Sequence, residues 1–294
     1  MTVRRAGLAA PSTVNFVLIG GGDGGTSGYN VGYYQPWDEL TVYQKLAGGG
    51  GGGGQIIETS AAVSSGTTYN VVVGAGGSPN GTGTSSSFRT STAVNGYYGT
   101  GGSGYSERQY QPFPNEISFE FGTYPASGFG GAGYYGCTNS GNEGDHSGGG
   151  GGGALSFGGA GSCHLGGEGG AAQNYSIVYL TSTIIVQDYF SGGGGGGTSV
   201  TCGSCGSAAA GTGGLNAGNG NGFAAVANRG GGGGGGAEPA YYADGSGGSG
   251  GSGYVAIWYA STFKDAASTT GSPQYVNTGS FKYYLFSGSG SITW

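Results

Sequence analysis

The four cysteines are the residues of this chain whose types and spacing come nearest to a chemical site. Cys202 and Cys205 form a C-x-x-C pair, Cys163 is followed by His164, and Cys137 stands apart. A structural zinc site needs a full tetrahedral set of converging ligands, and the second C-x-x-C pair that would supply it is missing. Disulfides and free thiols are compatible with the same spacing. All three uses stay open, and we assign no metal and no cofactor.

The motifs that could indicate an enzyme lack the surrounding residues or the spacing that catalysis requires. A G-x-S-x-G pattern spans residues 247–251, but it lies in a Gly/Ser tract and no strand leads into it, as a nucleophile elbow requires. A phosphate-binding loop needs a lysine after its last glycine, and no glycine run is followed by one. Glu116 and Glu120 would lie about 13 Å apart on a strand, outside the roughly 5–10 Å that glycosidases use. The sequence therefore predicts no catalytic residue.

Tyrosine doublets between the glycine runs carry the contact hypothesis. An aromatic ring with a polar tip suits sugar or protein recognition, and tyrosine is typical of adaptable binding loops. The glycine-poor segment 105–125 is a second candidate surface, since binding loops emerge from rigid scaffolds. The alternative is that one ring of each doublet is buried against the runs, so we expect one inward and one outward partner. The predicted binding residues are Tyr33, Tyr34, Tyr97, Tyr98, Arg108, Tyr110, Tyr134, Tyr135, Tyr241 and Tyr242.

Composition bounds the class of protein. The chain has 294 residues, of which 78 are Gly and only 7% are charged, and it contains 22 Tyr, 12 Phe and 3 Trp. Disordered chains are rich in charge and poor in aromatic residues, so we expect a folded protein. The net charge of −6, without a basic cluster, argues against nucleic acid as a partner. We expect neither membrane insertion nor a signal peptide, because the apolar stretches are too short for both.

Four glycine runs punctuate the chain, at residues 48–54, 148–153, 192–197 and 230–236. They could be flexible linkers, because glycine-rich segments behave as random coils. They could also pack side by side as polyproline II helices, whose N–H and C=O groups point sideways, a close approach that only glycine allows. Linkers have no reason to match in length, whereas these runs nearly do. The sequence therefore favours a bundle of polyglycine helices.

Strand signals bracket the runs. The β-branched and apolar stretches lie at residues 13–19, 55–58, 67–73, 177–190 and 254–259. Residues 280–286 and 291–294, on either side of a Gly/Ser turn, predict a terminal hairpin. Helical periodicity is nearly absent. We therefore predict an all-β fold with irregular glycine-rich structure, in which β-strands and a C-terminal hairpin bracket a polyglycine, polyproline II-like bundle.

Ordered motifs at both ends of the glycine-rich body resemble those of a known family. Residues 66–77 read GTTYNVVVGAGG, residues 86–88 read SSF, and the body closes on GGSGYVAIWY at residues 250–259. This order resembles glycine-rich domain proteins of phage tails and tail fibres, and residues 265–273 and 282–293 are similar to C-terminal segments of phage virion proteins. The chain is also similar to fibre-tip adhesins, in which polyglycine helices stack and the loops between them bind receptors.

The resemblance implies a non-enzymatic virion protein, a tail fibre or receptor-binding adhesin acting by non-covalent contact. A collar, baseplate or capsid-decoration part without host contact is one alternative, and a hydrolase of surface glycans is another. Expected partners are other virion proteins, further copies of this chain, and a host surface glycan or outer-membrane protein. The expected location is the virion, after synthesis in the host cytoplasm. We divide the chain into an N-terminal docking arm (1–12), a glycine-rich domain (13–260) and a C-terminal β segment (261–294).

Overall fold

A computed structural model describes residues 8–35, 40–89, 91–93, 123–124, 148–159, 161, 166–178, 184–197, 220–237 and 245–294. These residues form strands and extended segments without a helix, which confirms the predicted all-β class. The strands are β1 (Thr13–Ile19), β2 (Tyr29–Gln35), β3 (Leu40–Leu46), β4 (Ile56–Ala62), β5 (Thr68–Val72), β6 (Ser86–Phe88), β7 (Ser91–Ala93), β8 (Thr123–Tyr124), β9 (Gln173–Val178), β10 (Ile184–Phe190), β11 (Tyr254–Ala260), β12 (Ser268–Thr270), β13 (Gln274–Asn277), β14 (Phe281–Phe286) and β15 (Gly290–Thr293).

Two antiparallel sheets carry the core. Counted over the described residues, the first is six-stranded in the order β13-β14-β11-β1-β4-β8, and the second is five-stranded in the order β12-β15-β5-β6-β7. In the first sheet β1 lies between β11 and β4, so that Ile19 is opposite both Tyr254 and Ile56. Within the described residues, β2 with β3 and β9 with β10 form separate two-stranded ribbons. The predicted strand signal at 177–190 thus covers the last two residues of β9 and the whole of β10.

The sheets pack face to face because alternate residues of β1 are apolar. Val14, Phe16 and Leu18 are fully buried in the core between the sheets, together with residues from β5, β6, β11, β14 and β15. The rings of Phe16 and Phe88 meet edge to face with their centroids 5.0 Å apart, a favoured aromatic geometry. Trp294 is also fully buried and lies with its ring centroid 6.4 Å from that of Phe88.

The other face of the first sheet packs against the glycine-rich body. Val17 and Ile19 are buried there with Ala154 and Phe190. Ala154 directly follows the run 148–153, and Phe190 ends β10 just before the run 192–197. Burial of these side chains fixes the glycine-rich body on the sheet, since apolar area removed from water is the main stabilising term of a fold.

The last two strands do not form the predicted hairpin with each other. β14 pairs with β11 and β13 in the first sheet, whereas β15 pairs with β5 and β12 in the second. Phe286 and Ile292 are both buried in the core between the sheets, so the turn at 287–289 must cross from one sheet to the other. The hairpin of this region is instead β13 with β14. The division of the chain into arm, domain and C-terminal segment stays a prediction.

Glycine-rich segments continue the strands and bond to one another. We call them together the glycine lattice: residues 20–28, 47–55, 74–84, 148–159, 166–171, 191–197, 220–237 and 245–253. Every third amide of the run 48–54 donates to the antiparallel run 230–236, and amides between them donate to the parallel run 148–153. The bonds join Gly48 to Gly236, Gly51 to Gly233, Gly54 to Gly230, Gly50 to Gly149 and Gly53 to Gly152, with N···O distances of 2.7–3.0 Å.

These bonds decide between the two interpretations of the runs. A flexible linker would leave its backbone groups to solvent, whereas most amides of the described runs donate to carbonyl groups of neighbouring lattice segments. Three residues is also the repeat of the polyproline II backbone. The spacing therefore agrees with the predicted helical form, but the helical form itself stays a prediction.

The lattice is too tight for a side chain at most of its glycines. A Cβ on Gly50 would lie 2.0 Å from Gly194 O, and a Cβ on Gly151 would lie 1.9 Å from Gly51 O. Carbon and oxygen atoms in van der Waals contact are separated by well over 3 Å, so these positions admit only glycine.

The strands and the lattice segments run lengthwise and define two poles. Strands β1, β4, β5 and β11 meet the lattice at one end, and at their other end lie the loops 64–67, 261–267 and 278–280, which we call the strand pole. Residues 8–12 also lie at the strand pole, where Lys264 N donates to Ala9 O at 2.8 Å. The ends of the lattice segments away from the sheets form the lattice pole.

An ion pair ties the strand pole together. Lys282 is 5% exposed, and its Nζ donates to Phe263 O at 2.6 Å and lies 2.8 Å from Asp265 Oδ1. The hydrogen bond from Lys282, followed by that from the Tyr275 hydroxyl, lowers the pKa of Asp265. Because the carboxylate is exposed to solvent, the pair orients the loop more than it stabilises the fold.

Candidate functional site

Backbone hydrogen bonds gather the ends of the lattice segments at the lattice pole. The bonds run from Gly28 N to Gly245 O, Gly48 N to Gly236 O, Gly148 N to Gly197 O, Gly167 N to Gly148 O, Gly197 N to Gly48 O and Ala237 N to Gly220 O, at 2.7–2.9 Å. The ribbon β2–β3 emerges from the lattice at this pole. Among the described residues, lattice segments also begin or end there at residues 148, 167, 197, 220, 237 and 245.

Among the predicted binding residues, Tyr33 and Tyr34 are in the described ribbon. They belong to β2, and the register places Tyr33 opposite Val42 and Tyr34 opposite Thr41 of β3. Consecutive strand residues fall on opposite faces, so the doublet presents one position to each face of the ribbon. The ribbon begins one residue after Gly28, which places both positions beyond the lattice pole.

The other predicted residues lie outside the described residues. They are Tyr97, Tyr98, Arg108, Tyr110, Tyr134, Tyr135, Tyr241 and Tyr242, together with Cys137, Cys163, Cys202, Cys205, His164, Glu116 and Glu120. In sequence, the doublet 241–242 is bounded by Ala237 and Gly245, which are both at the lattice pole. Residues 97–110 are bounded instead by β7 and β8, which belong to the two sheets.

Side-chain bonds hold the shape of the lattice pole. Thr26 N donates to Gly49 O at 2.9 Å, and Thr26 Oγ1 accepts from Gly49 N at 2.7 Å. Asn80 Oδ1 accepts from Ser27 N at 2.8 Å, while Asn80 Nδ2 donates to Ser27 Oγ at 3.0 Å. Asn80 has a φ of 60°, a left-handed conformation that asparagine tolerates. These bonds fix the position of the chain at the lattice pole.

A three-residue period of non-glycine residues is the signal that sequence reasoning missed. Asp23 and Thr26 follow this spacing in the segment 20–28, and so do Ser246, Ser249 and Ser252 in the segment 245–253. A Cβ added to any of the glycines between these serines would lie 1.9–2.3 Å from a carbonyl oxygen of a neighbouring segment, which close packing does not allow. Side chains are therefore accommodated at one position in three, and the repeat G-G-x could have shown the lattice in the sequence.

Ser86, the first residue of the SSF motif, joins the sheets to the lattice. Its buried hydroxyl donates to Ile19 O at 2.6 Å and accepts from Gly74 N at 2.8 Å. Ile19 is the last residue of β1, and Gly74 follows β5, so one hydroxyl satisfies the ends of strands from both sheets. Phe88 then fills the core, which gives both ends of the motif a structural role.

Ser86→Ala is expected to lower the free energy of unfolding by about 2–4 kcal/mol, because it leaves two buried backbone groups without a partner. Ser87→Ala is the matched control, since Ser87 is half-buried and the bonds to Ile19 O and Gly74 N are made by the Ser86 hydroxyl. Urea unfolding of the two variants measures the difference. Equal midpoints for both would show that the junction does not depend on this hydroxyl.

Ser191 is a strained residue at the same junction. It has a φ of 56°, no exposed surface, and an Oγ without a hydrogen-bond partner in the described structure. Its backbone is fixed, because Ser191 N donates to Arg229 O and Ser191 O accepts from Ala154 N, both at 2.8 Å. The left-handed conformation costs a residue with a Cβ roughly 1–2 kcal/mol.

Ser191→Gly is therefore expected to stabilise the protein, by about 1 kcal/mol after the entropy of the added glycine is subtracted. Ser191→Ala removes the hydroxyl but keeps the strain, so its gain should be smaller. Thermal unfolding of both variants tests the order, and a loss of stability in the glycine variant would contradict it.

Burial, and not a charged neighbour, perturbs the pKa of Tyr254, the first residue of β11. Desolvation raises the pKa of Tyr254 to about 12, and its ring centroid lies 6.3 Å from that of Phe190.

In the parts of the chain described here, no cluster of His, Cys, Asp and Glu is suited to hold a metal ion. The same residues include no helix that could cross a membrane.

Comparison with known families agrees with the tight glycine-rich architecture. The family model of a glycine-rich domain matches residues 6–260. The chain belongs to this family. The glycine-rich domain so defined contains β1 to β11 and the whole lattice, whereas β14 and β15, which complete the two sheets, follow it in the chain. Searches of curated proteins and of solved structures found no match.

Proposed function

We propose that this glycine-rich domain protein is a structural component of a phage-type virion, a tail-fibre or receptor-binding part acting by non-covalent contact. The observation that carries the proposal is the separation of the two poles by the lattice. Residues 8–12 lie at the strand pole, whereas the ribbon β2–β3 and the lattice ends at Gly148, Gly197, Gly220, Ala237 and Gly245 lie at the lattice pole. A scaffold that presents chain segments at one end and holds a terminal arm at the other suits display on a particle.

The contact surface in this proposal is the lattice pole, with Tyr33 and Tyr34 in its described part. A two-stranded ribbon is only marginally stable alone, so a surface that binds it adds to its stability. The partners would be a host surface glycan or an outer-membrane protein at the lattice pole, and other virion proteins at the strand pole. The place of action would be the virion.

The test is binding of the purified protein to a panel of bacterial cells, measured by flow cytometry. In a matched variant, residues 30–45 are replaced by a short Gly-Asn-Gly turn, which leaves the bonds of Gly28 and Gly48 intact. We expect binding to some strains, insensitivity to salt, and loss of binding in the variant with unchanged thermal unfolding. Binding that is equal in both proteins would show that the ribbon is not part of the contact surface.

A collar, baseplate or capsid-decoration part is the second candidate, since the strand pole alone could serve assembly. Immunogold labelling of particles separates the two proposals. A protein located on the particle that binds none of the cells would favour assembly, and a protein absent from particles would contradict both.

A further inference from the structure

We propose that the glycine lattice is a tension-bearing link between the two poles. The purpose of such a link rests on the proposed contact function, because a part that holds a particle to a surface is pulled along its length. The structural basis is independent of it. β1 continues directly into residues 20–28, residues 47–55 lead into β4, and residues 245–253 lead into β11. Several covalent paths therefore connect the poles without a turn.

The direction of the hydrogen bonds makes these paths strong along their length. Bonds between antiparallel neighbours lie across the chain direction, and those of the run 48–54 reach two neighbouring runs on different sides. A pull from pole to pole loads all bonds between two segments at once, in shear. A pull that separates two segments from one end loads the bonds one after another.

The backbone itself can lengthen only slightly before the bonds take the load. A backbone that repeats every three residues rises about 3.1 Å per residue in the polyproline II form, and a fully extended chain spans at most roughly 3.3–3.6 Å per residue. An α-helix rises only about 1.5 Å per residue, so it could unwind and absorb the extension. Load applied between the poles thus passes to the lateral bonds with little stretching.

Close packing adds a steric barrier to sliding. If the segment 245–253 moved by one residue, Ser249 would enter the place of Gly248 or Gly250, where a Cβ lies 2.0 Å from Phe223 O or 2.1 Å from Gly22 O. A register shift of one residue is therefore blocked even where the bonds could re-form. The lattice resists shear through both its bonds and its shape.

A pull between two loops of the strand pole loads the hydrogen bonds differently from a pull between the two poles. The loops 64–67 and 278–280 are both at this pole, and they precede β5 and β14. A pull between them peels β5 from β15 and β14 from its neighbours, starting at one end of each ladder. The same protein therefore contains a shear direction and a peeling direction.

Single-molecule force spectroscopy on the full chain tests the proposal. Azide-bearing residues replace Ser65 and Ser246 for the pole-to-pole direction, and Ser65 and Ser280 for the peeling direction; all three serines are exposed. At one loading rate, we expect the pole-to-pole rupture force to exceed the peeling force by about twofold or more. A second pole-to-pole pair, Ser78 with Ser280, serves if the first labelled protein does not fold.

Equal forces in the two directions, or a weaker pole-to-pole direction, would overturn the proposal. The measurement uses the isolated protein without cells, so its result does not depend on host contact. If the unaltered protein bound none of the cells but showed the force difference, the contact function alone would be rejected. If it bound cells but showed no force difference, the tension-bearing link alone would be rejected.

Discussion

Gly50→Ala is expected to lower the free energy of unfolding by about 3 kcal/mol or more, at or above the upper range for overpacked cores. The added Cβ would lie 2.0 Å from Gly194 O, 2.4 Å from Gly194 C and 2.9 Å from Gly195 O. These are backbone atoms, so no side chain can rotate away. Gly194 is also held by its own bond to Gly51 O at 2.9 Å. Urea unfolding followed by tyrosine and tryptophan fluorescence measures the loss.

Gly288→Ala is the matched control. No atom lies within 4 Å of a Cβ at this position, and its φ is outside the left-handed region. The substitution should be neutral or stabilise by about 0.5 kcal/mol, because it restricts the unfolded chain. If Gly50→Ala were as mild as Gly288→Ala, the runs would not be packed as described. The control separates this packing from the general effect of replacing a glycine.

A one-residue insertion should damage the protein more than a three-residue insertion at the same point. One glycine inserted after Ser252 moves Ser252, Ser249 and Ser246 into the places of Gly251, Gly248 and Gly245. A Cβ at these places would lie 2.3, 2.0 and 2.4 Å from a carbonyl oxygen. Each clash costs about 1–3 kcal/mol, so we expect the lattice to lose its cooperative unfolding.

Inserting Gly-Gly-Ser after Ser252 keeps every serine at an open position. The insertion only lengthens the chain between residues 237 and 245 at the lattice pole, which costs less than about 1 kcal/mol. Hydrogen exchange of the lattice amides compares the two variants. We expect protection in the three-residue variant and its loss in the one-residue variant. The opposite order would show that the lattice has no period of three.

The sequence was sufficient for the class of fold and for several strands. The stretches predicted at 13–19, 55–58, 67–73 and 254–259 contain β1, the start of β4, β5 and most of β11. Their β-branched residues and the glycines that end them are local signals, which depend only on neighbours in the chain. The preference for packed runs over linkers rested on the nearly equal lengths of the runs, and the lateral bonds support it.

The pairing of strands that are distant in the chain could not be predicted from the sequence. The predicted hairpin of 280–286 with 291–294 was wrong because a Gly/Ser turn also allows a crossing between sheets, and the buried Phe286 and Ile292 decide for the crossing. The role of Ser86 depends on Ile19 and Gly74, and the bond to Ile19 spans 67 residues. The contact residues of the ribbon were named from composition alone, and their function stays a prediction.

The lattice glycines that admit no side chain restrict how the gene for such a protein can diverge. A missense change in most of its glycine codons places a carbon atom against a carbonyl group, so purifying selection should keep these codons nearly constant. Changes in length should survive chiefly as in-frame gains or losses of nine nucleotides, where serines mark the repeat. Diversity should then concentrate in the chain that emerges at the lattice pole, which allows rapid adaptation there over an interior that hardly changes.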